Sequence, residues 1–161
     1  FKTSIFENVK MGDENASDSR VMEALKQARC NDIVDKFKDR EHTLIGSKGV
    51  HLSGGEIQRI AIARAILKNA NIIILDEASA AADPENEYEI QQAFSNLMKD
   101  KTVIMIAHRL SSIRNVDEIL VIDGGKIAER GTDARLTQAG GIYKKLQDLY
   151  SEANNWGIYD K

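Results

Sequence analysis

Ser53, Gly54, Gly55 and Glu56 stand directly ahead of a long apolar run, Asp76 and Glu77 close a second apolar run, and His108 closes a third. Each group suits a different part of anion chemistry. A serine followed three residues later by a glutamate is the capping box that opens a helix. A cap alone needs no glycine, and glycine is costly in a first helical turn. Gly54 and Gly55 therefore point to a helix start that an anion can approach closely. Two carboxylates at the end of a buried strand are expensive to keep there unless a cation or a reacting water meets them. A histidine at the end of another strand of the same sheet falls on the same edge, where open α/β sheets bind ligands.

The elements that must position these groups follow from the pattern around them. From Ile57 to Leu67 apolar residues cover most sides, as in a buried helix with alanines allowing close approach, and Lys68 to Asn71 close it. Ile72 to Leu75 is a short continuous apolar run of the kind found in parallel strands covered on both faces. Asp83 followed by Pro84 reads as an N-cap with proline at the first helical position, and the helix after it buries Ile90, Ala93, Phe94, Leu97 and Met98. Thr102 to Ala107 is the next buried strand. Glu118–Ile122 and Lys126–Glu129, flanking Asp123-Gly124-Gly125, form a hairpin, and a last helical region presents Ile142, Leu146, Leu149 and Tyr150 on one face.

Ahead of the glycine helix the chain is largely helical. A short turn around Ile5, Phe6 and Val9 precedes a helix through Val21, Leu25 and Ala28 capped by Ser17 or Asp18. A further turn through Ile33 and Phe37 is capped by Asn31 or Asp32. Asp35 to His42 is dense in charge and reads as a solvated face.

At these residues the chain resembles a known family. LSGGE matches the signature motif of the ABC ATPases, IIILDE their Walker B strand with its catalytic glutamate, and IAHRLSSI the switch segment of the exporter-type members. The resemblance covers nearly the whole chain and implies an α/β, P-loop NTPase fold with a mainly parallel sheet. Residues 1–68 would be the helical subdomain with the signature helix, and 69–161 the C-terminal part of the RecA-like ATPase core. Together they would make one partial nucleotide-binding domain. It also implies roles: Asp76 for Mg2+ through water, Glu77 and His108 as catalytic residues, and Ser53, Gly54, Gly55 and Glu56 for ATP across a dimer interface. Asp83 falls in the D-loop. Two departures stand out: Glu56 replaces the usual glutamine, and Ala80, Ala81, Ala82 and Asp83 replace S-A-L-D.

The implied partners are a membrane-spanning domain of the same transporter and a second nucleotide-binding domain, identical or not, at the cytoplasmic face of a membrane. No G-x-x-x-x-G-K-[ST] loop occurs among the 161 residues, and the resemblance places that half upstream of Phe1. The chain by itself is thus expected to be inactive. It is also expected to leave a slot in the sheet between the Thr102–Ala107 and Glu118–Ile122 strands.

Composition agrees with this reading. The 161 residues carry a formal net charge of -3 with no long basic run, so no nucleic-acid partner is expected. The lone Cys30 has no partner for an intrachain disulfide and reads as a small apolar residue. The rival class is the C-terminal lobe of an SMC-type DNA-organising or repair ATPase, which also starts near an LSGGE motif. Such a lobe would follow a long coiled coil, and no sustained heptads precede Leu52.

Overall fold

A computed structural model describes residues 3–46, 49–76, 84–107, 113 and 115–156. The chain folds as two compact units, Phe1–Ile106 and Ala107–Lys161.

The first unit is built around one helix. α1 (Ile5–Lys10), α2 (Asp18–Gln27) and α3 (Asn31–Asp35) lead through a 3-10 turn at Arg40–His42 to α4 (Gly54–Lys68). The near-continuous apolar surface of α4 is used on several sides, since it packs against α1, α2 and α5 (Pro84–Met98). Ile60, Ile62, Ala63 and Leu67 of α4 are buried with Ile5, Val9, Leu25, Ile90 and Leu97 in one core. Ala63, fully buried, has no side chain beyond Cβ to hold the neighbouring helices apart. α4 ends at Asn69, which takes the left-handed conformation (φ 50°) that asparagine tolerates better than most residues. α5 opens at Pro84 as the sequence predicts; its expected cap, Asp83, lies outside the described residues. At α3 the expectation is corrected: Cys30 holds the N-cap position without a side-chain cap, and Asn31 is already the first helical residue.

β1 (Ile72–Asp76) and β2 (Thr102–Ile106) pair in parallel, Ile72 opposite Thr102 and Asp76 opposite Ile106. Burial alternates along both strands. Ile73 and Leu75 pack on the helical core, whereas Ile72, Ile74, Ile104 and Ile106 are exposed. The apolar run predicts cover on both faces. Among the described residues the helices supply it on one face only, so the period of two inherent to a strand shows through.

The second unit holds β3 (Ile119–Asp123), β4 (Lys126–Gly131), α6 (Asp133–Ala139) and α7 (Ile142–Trp156). The antiparallel hairpin turns at Gly124 and Gly125, with φ of 53° and 74°. Two consecutive positive values are what a type I′ turn requires and what glycine gives without strain. Ile119, Val121, Leu136 and Tyr143 form a small core. Of the apolar stripe expected on α7 only Ile142 packs against it; Leu146, Leu149 and Tyr150 are exposed, and Tyr143 is the residue buried. Tyr143 satisfies its polar end by donating to Asp133 Oδ1 at 2.6 Å. Glu129 of β4 caps α7 by accepting from the Ile142 and Tyr143 N–H groups at 2.6 and 3.0 Å. No helix among the described residues is long and apolar enough to cross a membrane.

Candidate functional site

Ser53 has extended backbone angles, as an N-cap must, and both halves of its capping box are made. Its Oγ accepts from the Glu56 N–H at 3.2 Å, and its own N–H donates to Glu56 Oε2 at 2.8 Å. With the Ser53 oxygen used as an acceptor, its hydroxyl proton is still available to donate outward. The first helical N–H groups, at Gly54 and Gly55, have no carbonyl four residues back to bond to, and they carry the positive end of a 15-residue helix.

The two glycines serve different ends. A Cβ built at Gly54 would meet nothing within 4 Å, so this exposed position leaves the helix start open. A Cβ at Gly55 would sit 3.2 Å from Asn86 Cβ and 3.3 Å from Ile90 Cδ1. Gly55 is therefore explained by the close approach of α4 to α5, a packing reason that a motif reading does not separate from ligand access.

Glu56 is buried, yet its carboxylate is fully partnered. Oε2 takes the Ser53 N–H, and Oε1 takes the ammonium of Lys36, which stands at the C-terminal end of α3. Burial alone would raise the Glu56 pKa. The hydrogen bonds and charge of Lys36, with those of Ser53, outweigh it and hold the carboxyl below its ordinary range. Lys36 belongs to the charged stretch read as a solvated face, and nothing in its sequence spacing marks it out.

One further turn along α4, the Arg59 side chain is 1% exposed and still charged. It forks onto both oxygens of Asp32 at 2.8 and 2.9 Å, and also donates to the Arg29 carbonyl at 2.6 Å and to Asn86 Oδ1 at 3.2 Å. The guanidinium thereby pins α4 to α3 and α5, and it fixes the angle at which the helix start faces outward. Ser53, Glu56, Lys36, Arg59, Asp32 and Asn86 share a polar groove of about 1230 Å³.

Asp76 is the last residue of β1, opposite Ile106, on the exposed face of the strand pair. It does not line the groove that holds Ser53 and Glu56. A single carboxylate fits the way Mg2+ is held, by one or two carboxylates with substrate phosphates and water, rather than by an all-protein cage. Among the described residues there is no group of three or more His, Cys, Asp or Glu that could hold a metal ion. Glu77, Asp83 and His108 lie outside the described residues.

The family model described as ABC transporter matches residues 2–80. The chain is 46% identical over 150 residues to ABC transporter B family member 14 of Arabidopsis thaliana, covering 92% of this chain and 12% of that protein. It is 48% identical over 143 residues to the beta-(1-->2)glucan export ATP-binding/permease protein of Agrobacterium fabrum, covering 89% of this chain and 24% of that protein. Among solved structures, a bacterial Atm1-family ABC exporter with ATP bound matches with a TM-score of 0.80 and 37% identity, over 93% of this chain and 26% of that one. The chain thus spans a quarter or less of the length of these two relatives.

Proposed function

Because the chain belongs to the ATP-binding domains of exporter-type ABC transporters, we propose that it supplies the signature, Walker B and switch-histidine portion of such a domain, whose ATP hydrolysis drives a substrate through a membrane-spanning partner. The observation that carries this reading is the start of α4. There an exposed serine and an unobstructed glycine, braced from behind by Glu56 and Arg59, present amide and hydroxyl donors outward. Such a surface suits the phosphates of ATP.

Phosphoryl transfer is mainly positioning and charge stabilisation, so each residue takes a physical role. Ser53, Gly54 and Gly55 bind phosphate across the interface with a second nucleotide-binding domain, identical or not, while Glu56 acts there through the cap it makes. Asp76 would hold Mg2+ through water, and the ion when bound neutralises charge on the phosphate oxygens. Glu77 orients or deprotonates the attacking water, His108 contacts the terminal phosphate, and Asp83 lies in the D-loop at the same interface.

Residues 1–68 act as the helical subdomain and 69–161 as the C-terminal part of the RecA-like core, which is incomplete in these residues. The words "ATP-binding/permease" in one relative's name support a membrane-spanning partner within the same transporter, and with it a place at the cytoplasmic face of a membrane. The 161 residues contain no P-loop sequence, so we assign them no hydrolysis on their own.

Glu77→Gln in the complete protein tests the reading. ATP binding should persist while turnover falls by roughly 10² to 10⁴, the contribution of a general base; turnover at the parent rate would refute it.

A further inference from the structure

We propose that Lys36 is a positioning residue for the phosphate-facing start of α4, keeping the Glu56 carboxylate paired and turned back into the capping box. This rests on the function proposed above.

The argument begins with charge. Phosphates are anionic, and a carboxylate four residues into LSGGE opposes them unless its charge is met within the protein. Glu56 is 5% exposed, so bulk water does little to screen it. The helix dipole and the Ser53 N–H absorb part of the charge, but the Ser53 bond uses one oxygen only. The other oxygen is taken by Lys36, from a segment 20 residues earlier in the chain. Lys36 does two things there: it supplies the compensating positive charge, and it ties the end of α3 to the first turn of α4. Without it, Glu56 would keep its charge and lose its second partner. The cheapest relief would be to rotate the carboxylate outward, which undoes the Ser53 bond and turns the charge toward the phosphates.

The pair is asymmetric in exposure, the Lys36 side chain being 56% exposed and that of Glu56 7%. Water can therefore replace part of what the ammonium supplies, and the effect of removing it is limited to that of a partly exposed ion pair.

The test is steady-state ATPase kinetics on the complete protein, with Lys36→Met, Lys36→Arg, Glu56→Gln and the Lys36→Met/Glu56→Gln double variant. Lys36→Met should raise KM for ATP by roughly two- to fivefold, with kcat changed less. Lys36→Arg should restore most of the loss, because a guanidinium still meets the carboxylate. In the Glu56→Gln background, where no charge needs meeting, Lys36→Met should leave KM where the single Glu56→Gln variant has it. A merely structural lysine would lower activity equally in both backgrounds. An unchanged KM in Lys36→Met, or the same shift with and without the Glu56 carboxylate, overturns the proposal. Glu77→Gln runs alongside as the control: if the parent has turnover that Glu77→Gln abolishes, a silent Lys36→Met sinks the Lys36 assignment alone. A parent without ATP turnover takes both down.

Discussion

Asp32→Ala removes the carboxylate that neutralises Arg59, and the size of the effect follows from what remains. Among the described residues Arg59 makes four hydrogen bonds; the substitution takes the two to Asp32 and leaves those to the Arg29 carbonyl and Asn86. Breaking one side of a fully buried ion pair costs about 3–5 kcal/mol. Here the Asp32 side chain is 57% exposed, so water reaches the space it vacates and can solvate the guanidinium from that side. The expected loss is therefore about 2–3 kcal/mol, within the range for hydrogen bonds to a charged group. Urea unfolding of the complete nucleotide-binding domain measures it, as a midpoint shift of roughly 1 M or more at the slopes usual for small domains. Glu89→Ala is the internal comparison. It breaks the Arg29–Glu89 pair, whose side chains are 48% and 25% exposed, and should cost no more than about 1 kcal/mol. Equal midpoint shifts for the two variants would refute the claim that burial of Arg59 decides the cost.

Further outcomes are expected at four residues. Gly55→Ala should destabilise by about 1 kcal/mol, since its Cβ meets Asn86 and Ile90 at 3.2–3.3 Å. Gly54→Ala should stabilise slightly, by up to about 0.5–1 kcal/mol read as a raised denaturation midpoint, while raising KM for ATP, because its Cβ enters only the open space before the helix. Glu56→Gln should change ATP turnover at saturating ATP by less than about fivefold, the scale of a charge at a helix start; a large gain would mean that the carboxylate faces the phosphates. Burial pushes the Cys30 thiol up to about 12, so it should resist alkylation in the folded protein and react on unfolding. Between the ordinary thiol range and 12 the unfolded chain loses this proton while the folded one keeps it. The Cys30 contribution to stability should thus fall as pH rises above about 9, visible as a falling denaturation midpoint that Cys30→Ala flattens.

The features legible in the sequence are those with short range and a fixed period. The Ser53–Glu56 box, the start of α5 at Pro84, the Gly124-Gly125 turn and the burial of Cys30 each follow from one to four adjacent residues. The side chains that brace the helix start were not legible. Lys36 meets Glu56 across 20 residues and Asp32 meets Arg59 across 27, and such pairs leave no periodic trace in a stretch where almost every residue is charged or polar. The same holds for Glu129, whose capping of α7 is set by how the hairpin packs, and for Tyr143, whose place in the core depends on Asp133 receiving its hydroxyl. A helix face rich in leucine outweighed a single tyrosine in the sequence pattern, and the small core takes Tyr143 as its buried residue from α7, with Ile142 packed against it.

The parallel strands show what an apolar run does encode. Ile72 to Leu75 carries large aliphatic side chains on both sides, although only Ile73 and Leu75 meet the helices of their own unit. Ile74 alone is 67% exposed, and full burial of such a side chain is worth about 1.5–3 kcal/mol, so leaving Ile72, Ile74, Ile104 and Ile106 in water forgoes several kcal/mol. The run thus reports how many layers the sheet is made for rather than which contacts a given segment makes. Asp76 stands on the same outward face as Ile72 and Ile74, at its carboxyl end. A layer that covers the isoleucines must stop at Asp76, because covering an unpaired carboxylate costs more than covering an isoleucine returns. The boundary between the aliphatic face and the carboxylate is the strand end at which the proposal puts the Mg2+-bearing phosphate.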